Sequence, residues 1–299
     1  MPELISAARP VFRFAPTPNG ALHLGHAYSA LLNQRRAEET GGRLLLRIED
    51  LDRARCKASL EDALRADLDW LGVAFEGTCR RQSEHVADYA AALARLDSMG
   101  LVYPCFCSRA EVARAGAGRD PEGAPFYPGS CRDMPAAERR ERLARGDRAA
   151  WRLDMGRAVA LGPARLDWLE FGEEGTGETR DAAPAAWGDV VLAGRELAAS
   201  YHLAVTLDDA LQGVTDVVRG RDLLAATSVH RLLQEVLGLP APRYRHHRLV
   251  LDSAGGKLSK SRGSPSLADL RAQGIDAGQV RRALGFDGAG PPPFEPRLS

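Results

Sequence analysis

The chain has 299 residues, with 40 basic and 40 acidic side chains and a formal net charge of zero at pH 7. This length can bury a sizeable core and favours one large domain with an insertion, or two domains. The zero charge excludes a global attraction to nucleic acid, so any RNA contact must depend on local patches. No apolar run is long enough to cross a bilayer and residues 1–10 lack a secretory signal, which predicts a cytoplasmic protein without a membrane partner. An odd number of cysteines, five, argues against a disulfide framework and leaves metal ligation or free thiols.

The first predicted elements are a strand, a loop and a helix. Val11–Phe14 is typical of a short strand, residues 15–20 of a turn-rich loop, and Leu24–Glu39 of a helix that ends at two glycines. A second strand is predicted at Arg43–Ile48, with Glu49 at its carboxyl end. The pattern therefore predicts a βαβ unit of a parallel sheet.

Beyond the βαβ unit, the regular periodicity of apolar residues is lost once and then returns. Helices are predicted at 59–72 and 83–99, followed by a strand at 101–107 and a Gly/Pro-rich loop. Beyond a basic helix and short strand-like pieces, regular periodicity returns with predicted helices at 201–211 and 226–237 and predicted strands at 214–218 and 248–251. We therefore predict an insertion between two halves of a nucleotide-binding sheet.

The tetrapeptide His23-Leu24-Gly25-His26 lies at the first strand-to-helix turn. Two imidazoles beside a helix N-terminus would stabilise the negative charge that develops on an α-phosphate, and Gly25 would allow a flat adenine to approach the backbone. The alternative is a pair of surface histidines near a helix start. The tetrapeptide alone does not decide between the two.

A second signature is Lys257-Leu258-Ser259-Lys260-Ser261, in a Gly-rich loop. The chain has only three lysines, and two of them, Lys257 and Lys260, fall in this segment. A compact ammonium on a flexible stem can follow a departing pyrophosphate. The alternative, a solvated basic loop, does not explain why lysine is concentrated here.

Three further segments make the pattern specific: RFAPTPNG at 13–20, LRIEDLDR at 46–53 and GVTDVVRG at 213–220. Together with the two signatures, in this order over residues 11–270, they resemble the class I glutamyl-tRNA synthetases. The resemblance implies ATP with Mg²⁺ as a substrate, activation of L-glutamate as its adenylate, and catalytic roles for His23, His26, Lys257 and Lys260. It also implies an ATP site that includes His23, Gly25, His26 and Lys260.

The amino-acid pocket follows from the same resemblance. Glutamate carries an ammonium and two carboxylates, so its pocket needs an acidic residue and cationic or hydroxyl partners. The resemblance implies that glutamate is bound by Arg13, Phe14, Ala15, Pro16, Thr17, Glu49, Tyr201 and Arg219, with Glu49 facing the ammonium. Alternatively, Arg13 and Arg219 are ion-pair partners of Glu49 or Asp222. Their positions at predicted strand ends, the usual ligand edge of a parallel sheet, favour the ligand role.

The sequence also contains a cluster of potential metal ligands. Cys105, Cys107 and Cys131 supply three thiols, and Tyr127 supplies a possible oxygen ligand. Three thiolates do not fill a tetrahedral zinc site and a phenolate is an unusual fourth ligand, so three reduced thiols remain an alternative. The arrangement is, however, similar to the zinc site of the short glutamyl-Q-tRNA(Asp) synthetases, which implies a structural Zn²⁺. Cys56 and Cys79 lack partners at metal spacing.

The predicted fold is accordingly α/β, a Rossmann-type parallel-sheet catalytic domain split by a small zinc-containing insertion. The predicted divisions are 11–102 for the first half of the catalytic domain, 103–190 for the insertion, 191–265 for the second half, 266–290 for a short helical segment and 291–299 for a flexible tail.

The RNA partner is an expectation from length and family. Only 38 residues follow Ser261, too few for the anticodon-reading domain of full-length glutamyl-tRNA synthetases, and the glutamyl-Q family shares this short plan. We expect a monomer, and the family resemblance implies that it transfers glutamate to the queuosine base of tRNA(Asp). Alternatives are charging of a tRNA 3′ end, a non-catalytic tRNA-binding relative, or a small nucleotidyltransferase. Two arginine-rich groups could contact phosphates, Arg139/Arg140/Arg142/Arg145/Arg148/Arg152 and Arg243/Arg245/His246/His247/Arg248, although the first is equally typical of a salt-bridged solvated helix.

Overall fold

The computed structural model describes residues 9–116, 118–172, 176–251, 265–286 and 297–298. Its strands are β1 Val11–Phe14, β2 Arg43–Ile48, β3 Arg80–Arg81, β4 Val102–Cys105, β5 Ala150–Leu153, β6 Asp167–Phe171, β7 Gly177–Asp181, β8 Val191–Ala193, β9 Asp216–Gly220, β10 Arg243–His247, β11 Val250–Leu251 and β12 Arg297–Leu298. Its α-helices are α1 Leu24–Glu39, α2 Ala58–Trp70, α3 Val86–Ser98, α4 Arg109–Arg114, α5 Ala136–Ala144, α6 Met155–Leu161, α7 Tyr201–Leu211, α8 Thr227–Leu237, α9 Leu267–Ala272 and α10 Ala277–Ala283.

The chain forms two compact units. The first unit comprises the chain up to Glu84, the segment Val214–Asp222 and the chain from Tyr244 onward. The second unit comprises His85–Gly213 and Leu223–Arg243. Each unit is therefore assembled from segments that are distant in sequence.

A parallel sheet forms the centre of the first unit. β1 pairs with β2 and β2 pairs with β3, both in parallel. β2 is buried at Leu44, Leu45, Leu46, Arg47 and Ile48 in succession, as expected for a strand covered on both faces. The predicted βαβ unit is confirmed.

Helix α1 covers this sheet and fixes its neighbour β9. The backbone N–H of Thr215 donates to the carbonyl of Val11 at 3.0 Å, and the side-chain amide of Asn33 in α1 donates to the carbonyl of Val218 at 3.1 Å. Asn33 is fully buried. Its amide therefore supplies the hydrogen-bond partner that the Val218 carbonyl needs in place of water. The end of β9 is thereby positioned relative to α1.

The second unit contains an antiparallel sheet of order β4-β5-β8 and an antiparallel hairpin of β6 and β7. Helices α7 and α8 pack on each other, and α3 packs on both. The hydroxyl of Tyr89 in α3 donates to the Asp208 carboxylate in α7 at 3.0 Å, with both residues fully buried. Among the helices of the described segments, none is long and apolar enough to cross a membrane.

Two short helices of the first unit, α9 and α10, lie within the segment 266–290 that was predicted to be helical. Arg271 of α9 forms an ion pair with the buried Asp67 of α2 at 3.1 Å, and Arg281 of α10 donates to the carbonyl of Leu71 at 3.0 Å. Both contacts attach the helices to α2. Within the predicted tail, β12 pairs antiparallel with β11.

Candidate active site and metal cluster

The two histidines of the His-Leu-Gly-His segment cap helix α1 reciprocally. His23 precedes the helix in an extended conformation, and its Nδ1 accepts the backbone N–H of Gly25 at 3.1 Å. The Nδ1 of His26 accepts the backbone N–H of His23, also at 3.1 Å. The ring centroids are 3.9 Å apart. The imidazoles thus perform the task that a serine and a glutamate perform in an ordinary capping box.

This capping fixes the protonation pattern of both rings. A backbone N–H can only donate, so each Nδ1 must be an unprotonated acceptor, and the proton of each neutral imidazole must be on Nε2. Both rings therefore present an Nε2–H donor at a helix N-terminus, where the backbone dipole also favours an anion. The arrangement is suited to holding phosphate oxygens.

Gly25 provides a steric test of this geometry. A Cβ at Gly25 would lie 3.0 Å from Cε1 and 3.1 Å from Nδ1 of His23, so Gly25→Ala should displace the ring. A contact of this length requires a shift of a few tenths of an ångström. Because a misplacement of about 1 Å can cost about a hundredfold in rate, we expect glutamate-dependent adenylate formation to fall by about three- to tenfold, with little change in thermal stability. Gly156→Ala is the matched control, since Gly156 is also the second residue of a capped helix and its Cβ would meet Asp154 at an ordinary 3.6 Å. Equal activity losses in the two variants would contradict the assignment.

The predicted glutamate-binding residues of β1 and β2 lie at the carboxyl ends of paired parallel strands. Arg13 and Phe14 are opposite Leu45 and Leu46 and are both 5% exposed. Beyond β1, Ala15 is half-buried, Pro16 is buried and Thr17 is exposed. The backbone N–H of Glu49 donates to the carbonyl of Pro16 at 3.1 Å. The structure therefore brings the 13–17 segment and Glu49 together at one edge of the sheet.

Glu49 is held by a neighbouring arginine. Nη2 of Arg47 lies 3.2 Å from Oε1 of Glu49, and the two side chains are 0% and 10% exposed. This contact holds the carboxylate in place. Arg47 was not singled out by the sequence, because it lies inside an apolar run that indicates a core strand.

Arg219 lies on β9, next to the residue that α1 anchors. It is 5% exposed, and its Nε donates to Nε2 of His246 at 3.1 Å. Its guanidinium carbon lies 5.4 Å from the ring centroid of Tyr244, which stacks on His246. The side chain is therefore oriented by β10, the strand next to β9.

Tyr201 lies in the second unit, as the first residue of α7. Its ring makes edge contacts with His202 and His230, and Nδ1 of His202 lies 3.2 Å from Nε2 of His230. The remaining predicted site residues, Lys257 and Lys260, lie outside the described residues.

The predicted metal ligands converge in the second unit. The three sulfurs of Cys105, Cys107 and Cys131 lie within 4.8 Å of one another, and the phenol oxygen of Tyr127 lies 3.4 Å from the first sulfur and 3.9 Å from the second. The sulfurs of Cys107 and Cys131 are 3.5 Å apart. Tetrahedral zinc with Zn–S bonds of about 2.3 Å requires edges of about 3.5–3.8 Å. The Cys107–Cys131 distance lies in this range and the 4.8 Å limit for the three sulfurs exceeds it, so the cluster is compatible with a metal ion after a small contraction.

The surroundings of the cluster support the same fit. The Tyr127 oxygen accepts the backbone N–H of Cys131 at 2.8 Å, and the Cys131 sulfur accepts that of Phe106 at 3.4 Å. Burial raises the pKa of the Cys107 thiol to about 11. A cation is consequently needed to hold this sulfur as a thiolate at neutral pH.

Comparison with known proteins identifies the family. The model of the catalytic domain of class I tRNA synthetases (E and Q) matches residues 11–286. A glutamyl-Q tRNA(Asp) synthetase of Rhodobacter capsulatus is 46% identical over 288 residues, which cover 92% of this chain and 100% of that protein. The chain belongs to the glutamyl-Q tRNA(Asp) synthetase family. A second member, from Symbiobacterium thermophilum, is 42% identical over 92% of this chain and 85% of its own length.

A solved structure shows the same fold. The glutamate tRNA ligase of Elizabethkingia meningosepticum, in complex with its amino acid, superposes with a TM-score of 0.75 at 24% identity. The match covers 93% of this chain and 60% of that one. The α/β fold with a parallel sheet is thus common to the glutamyl-Q tRNA(Asp) synthetase family and this ligase.

One predicted RNA-contacting group of this glutamyl-Q family member needs correction. The strand β10 was not predicted, and two residues of the second basic group, Arg245 and His247, are only 7% and 8% exposed on it. They cannot contribute to an exposed phosphate-binding surface. Tyr244 and Arg245 are adjacent on β10 and therefore point to opposite faces, and both are buried, so the strand is covered on both faces here.

The first basic group is mostly a salt-bridged helix surface, the alternative that its alternating charges indicated. Arg142 and Arg145 both bond to Asp147, at 2.9 and 3.0 Å. Arg148 pairs with Glu196 at 3.1 Å. Arg152 is different, because its guanidinium lies over the ring of Tyr127 at 3.8 Å. Its role was missed by the sequence, which placed it with the solvated arginines.

Proposed function

We propose that this protein activates L-glutamate with ATP and transfers it to the queuosine base of tRNA(Asp). The observation that carries this proposal is the pair of imidazoles that cap α1 through their Nδ1 atoms, in a chain of the glutamyl-Q tRNA(Asp) synthetase family. A fixed pair of donors at a helix N-terminus is what adenylate formation requires.

In the first step, a carboxylate oxygen of glutamate bonds to the α-phosphorus of ATP, and the bond from that phosphorus to the bridging oxygen of pyrophosphate breaks. His23 and His26 donate through Nε2–H to phosphate oxygens whose negative charge increases in the transition state. Lys257 and Lys260, assigned from the resemblance, accompany the pyrophosphate, and Mg²⁺ accompanies ATP. Positioning and charge stabilisation suffice, so no side chain acts as a covalent nucleophile.

In the second step, a hydroxyl oxygen of the modified base forms an ester bond with the activated carbonyl carbon. The bond from this carbon to AMP breaks, and the hydroxyl proton is lost to solvent. The acceptor is proposed from the family, whose named members of similar length are glutamyl-Q tRNA(Asp) synthetases.

Selection of glutamate is assigned to the edge formed by β1, β2 and β9. Glu49, held in place by Arg47, accepts hydrogen bonds from the substrate ammonium. Arg13 and Arg219 are nearly buried guanidiniums that bind the two carboxylates. Phe14, Ala15, Pro16, Thr17 and Tyr201 complete the pocket by resemblance.

We further propose that Cys105, Cys107, Tyr127 and Cys131 hold a structural zinc ion. The ion links the strand β4 to the loop that precedes α5, across a region with few apolar residues. Zinc supplies folding free energy to such segments. We also propose that the insertion predicted at 103–190, which splits the catalytic domain, contains this zinc ion.

Glutamate-dependent exchange of labelled pyrophosphate into ATP tests the first step. The exchange should require glutamate and should be absent with aspartate or glutamine. Only glutamate has a second carboxylate at the distance at which the pocket arginines can bind it. A protein that binds tRNA(Asp) but gives no exchange, with or without tRNA, would be the non-catalytic relative instead.

Charging of a tRNA 3′ end is the second candidate, because a Syntrophus aciditrophicus glutamate–tRNA ligase 2 is 35% identical over 91% of this chain and 56% of its own length. A tRNA(Asp) that lacks its 3′-terminal adenosine separates the two acceptors without harming the queuosine diol. Transfer to the queuosine base should survive this truncation, whereas 3′ charging should be abolished.

A further inference from the structure

Arg152 occupies the central strand of the sheet beside the metal cluster. Its backbone is opposite Tyr103 on one side and Val191 on the other. Its Nη1 donates to the carbonyl of Asp189 at 2.7 Å, and its guanidinium carbon lies 3.8 Å from the ring centroid of Tyr127. The strand and this hydrogen bond hold the cation over the ring of Tyr127, a metal-ligand candidate.

The charge of this guanidinium is not balanced in the usual way. Among the described residues, no carboxylate oxygen lies within ion-pair distance of Arg152, and its buried Nε has no hydrogen-bond partner. The other nearby arginines differ: Arg132 pairs with the Asp189 carboxylate and Arg142 pairs with Asp147. A partly buried cation without a carboxylate is costly unless another negative group faces it.

The metal cluster can supply that negative charge. With zinc bound, three thiolates and a phenolate would carry four negative charges, two more than Zn²⁺ neutralises. Cys105, Tyr127 and Cys131 are 0–4% exposed, so water screens the excess poorly. A cation over the face of an aromatic ring is attracted by its π-electrons, and the attraction grows when the ring carries negative charge.

We infer that Arg152 is a positioning residue of the metal centre that compensates its excess negative charge through the face of Tyr127. This inference rests on the proposed zinc site. It explains how a phenolate, an unusual zinc ligand, completes the site in this chain. Arg142, which lies 4.1 Å over the ring of Phe106, makes a similar contact with an aromatic residue that is not a ligand, and it provides the matched control.

The test is a double-mutant cycle on zinc affinity. Arg152→Gln removes the charge but keeps a donor for the Asp189 carbonyl, Arg152→Lys keeps the charge, and Arg142→Gln is the control. Each is made in the wild-type and Tyr127→Phe backgrounds, and zinc affinity is measured by competition with a chromophoric chelator. The cobalt(II) spectrum of each purified variant reports whether a tetrahedral thiolate site has assembled.

We expect Arg152→Gln to weaken zinc binding about tenfold, which is the lower end of the range for residues that support metal ligands. Arg152→Lys keeps the charge and should stay within about threefold of the wild-type affinity. In the Tyr127→Phe background the loss should shrink to less than about twofold, since the ligand through which the charge acts is gone. Arg142→Gln should leave the affinity unchanged.

Three results would overturn the inference. The first is an equal loss of zinc affinity from Arg152→Gln in the wild-type and Tyr127→Phe backgrounds. The second is an equal loss from Arg152→Gln and Arg152→Lys, and the third is no loss from Arg152→Gln. A wild-type protein without bound zinc and without a tetrahedral cobalt spectrum would overturn the metal centre together with this inference. Pyrophosphate exchange, measured on the same preparation, would show whether glutamate activation stands independently.

Discussion

Replacing His23 by asparagine should lower glutamate-dependent pyrophosphate exchange by about two to three orders of magnitude, the usual effect of losing one preorganised donor. Asparagine is a good N-cap residue and can still accept the Gly25 N–H, so α1 should keep its start and the melting temperature should change little. His23→Ala removes both functions. It should show the same loss of exchange and an additional loss of about 1 kcal/mol in the free energy of unfolding.

The pair of variants separates catalysis from capping. His85, which precedes α3 but makes no side-chain cap bond, is the matched control, and His85→Asn should leave exchange unchanged. If His23→Asn kept wild-type exchange while His23→Ala lost it, the histidine would serve only to start the helix.

Replacing Glu49 by glutamine should lower kcat/KM for glutamate about 10- to 100-fold, since a charge-assisted hydrogen bond contributes about 1.5–3 kcal/mol. The change also leaves the fully buried Arg47 guanidinium facing a neutral amide. We therefore expect the free energy of unfolding to fall by about 2 kcal/mol.

A second substitution separates these two effects. Arg47→Met in the Glu49→Gln background replaces the buried cation by an apolar side chain of similar length, and should recover part of the lost stability. It should not recover kcat/KM for glutamate. Recovery of both quantities by the double variant would mean that Glu49 is only the ion-pair partner of Arg47.

The sequence predicted the elements whose signal is local. Strand β1, helix α1 and strand β2 were predicted with their observed bounds, because a run of apolar residues, a turn-rich loop and terminal glycines follow one another without interruption. The metal cluster was also predictable in composition, because thiols are few and closely spaced in the chain.

Features that depend on partners distant in sequence were not predictable. Strand β10 has the sequence RYRHH, which indicates a solvated basic segment, and its burial arises only from its place beside β9. Arg47 lies inside an apolar run and Arg152 was grouped with the arginines of a basic helix, so neither the contact of Arg47 with Glu49 nor that of Arg152 with Tyr127 was predicted. The reciprocal imidazole capping of α1 was likewise not predicted, because histidine is not a usual capping residue.

The acceptor base is tested most directly with two tRNA(Asp) transcripts that differ only at the modified position. Both carry an intact 3′ end, one bears queuosine and the other bears guanine, and each is incubated with ATP and labelled glutamate. The proposed function predicts base-labile label on the queuosine-bearing tRNA alone, with none on the guanine-bearing tRNA. Equal labelling of the two tRNAs would contradict it.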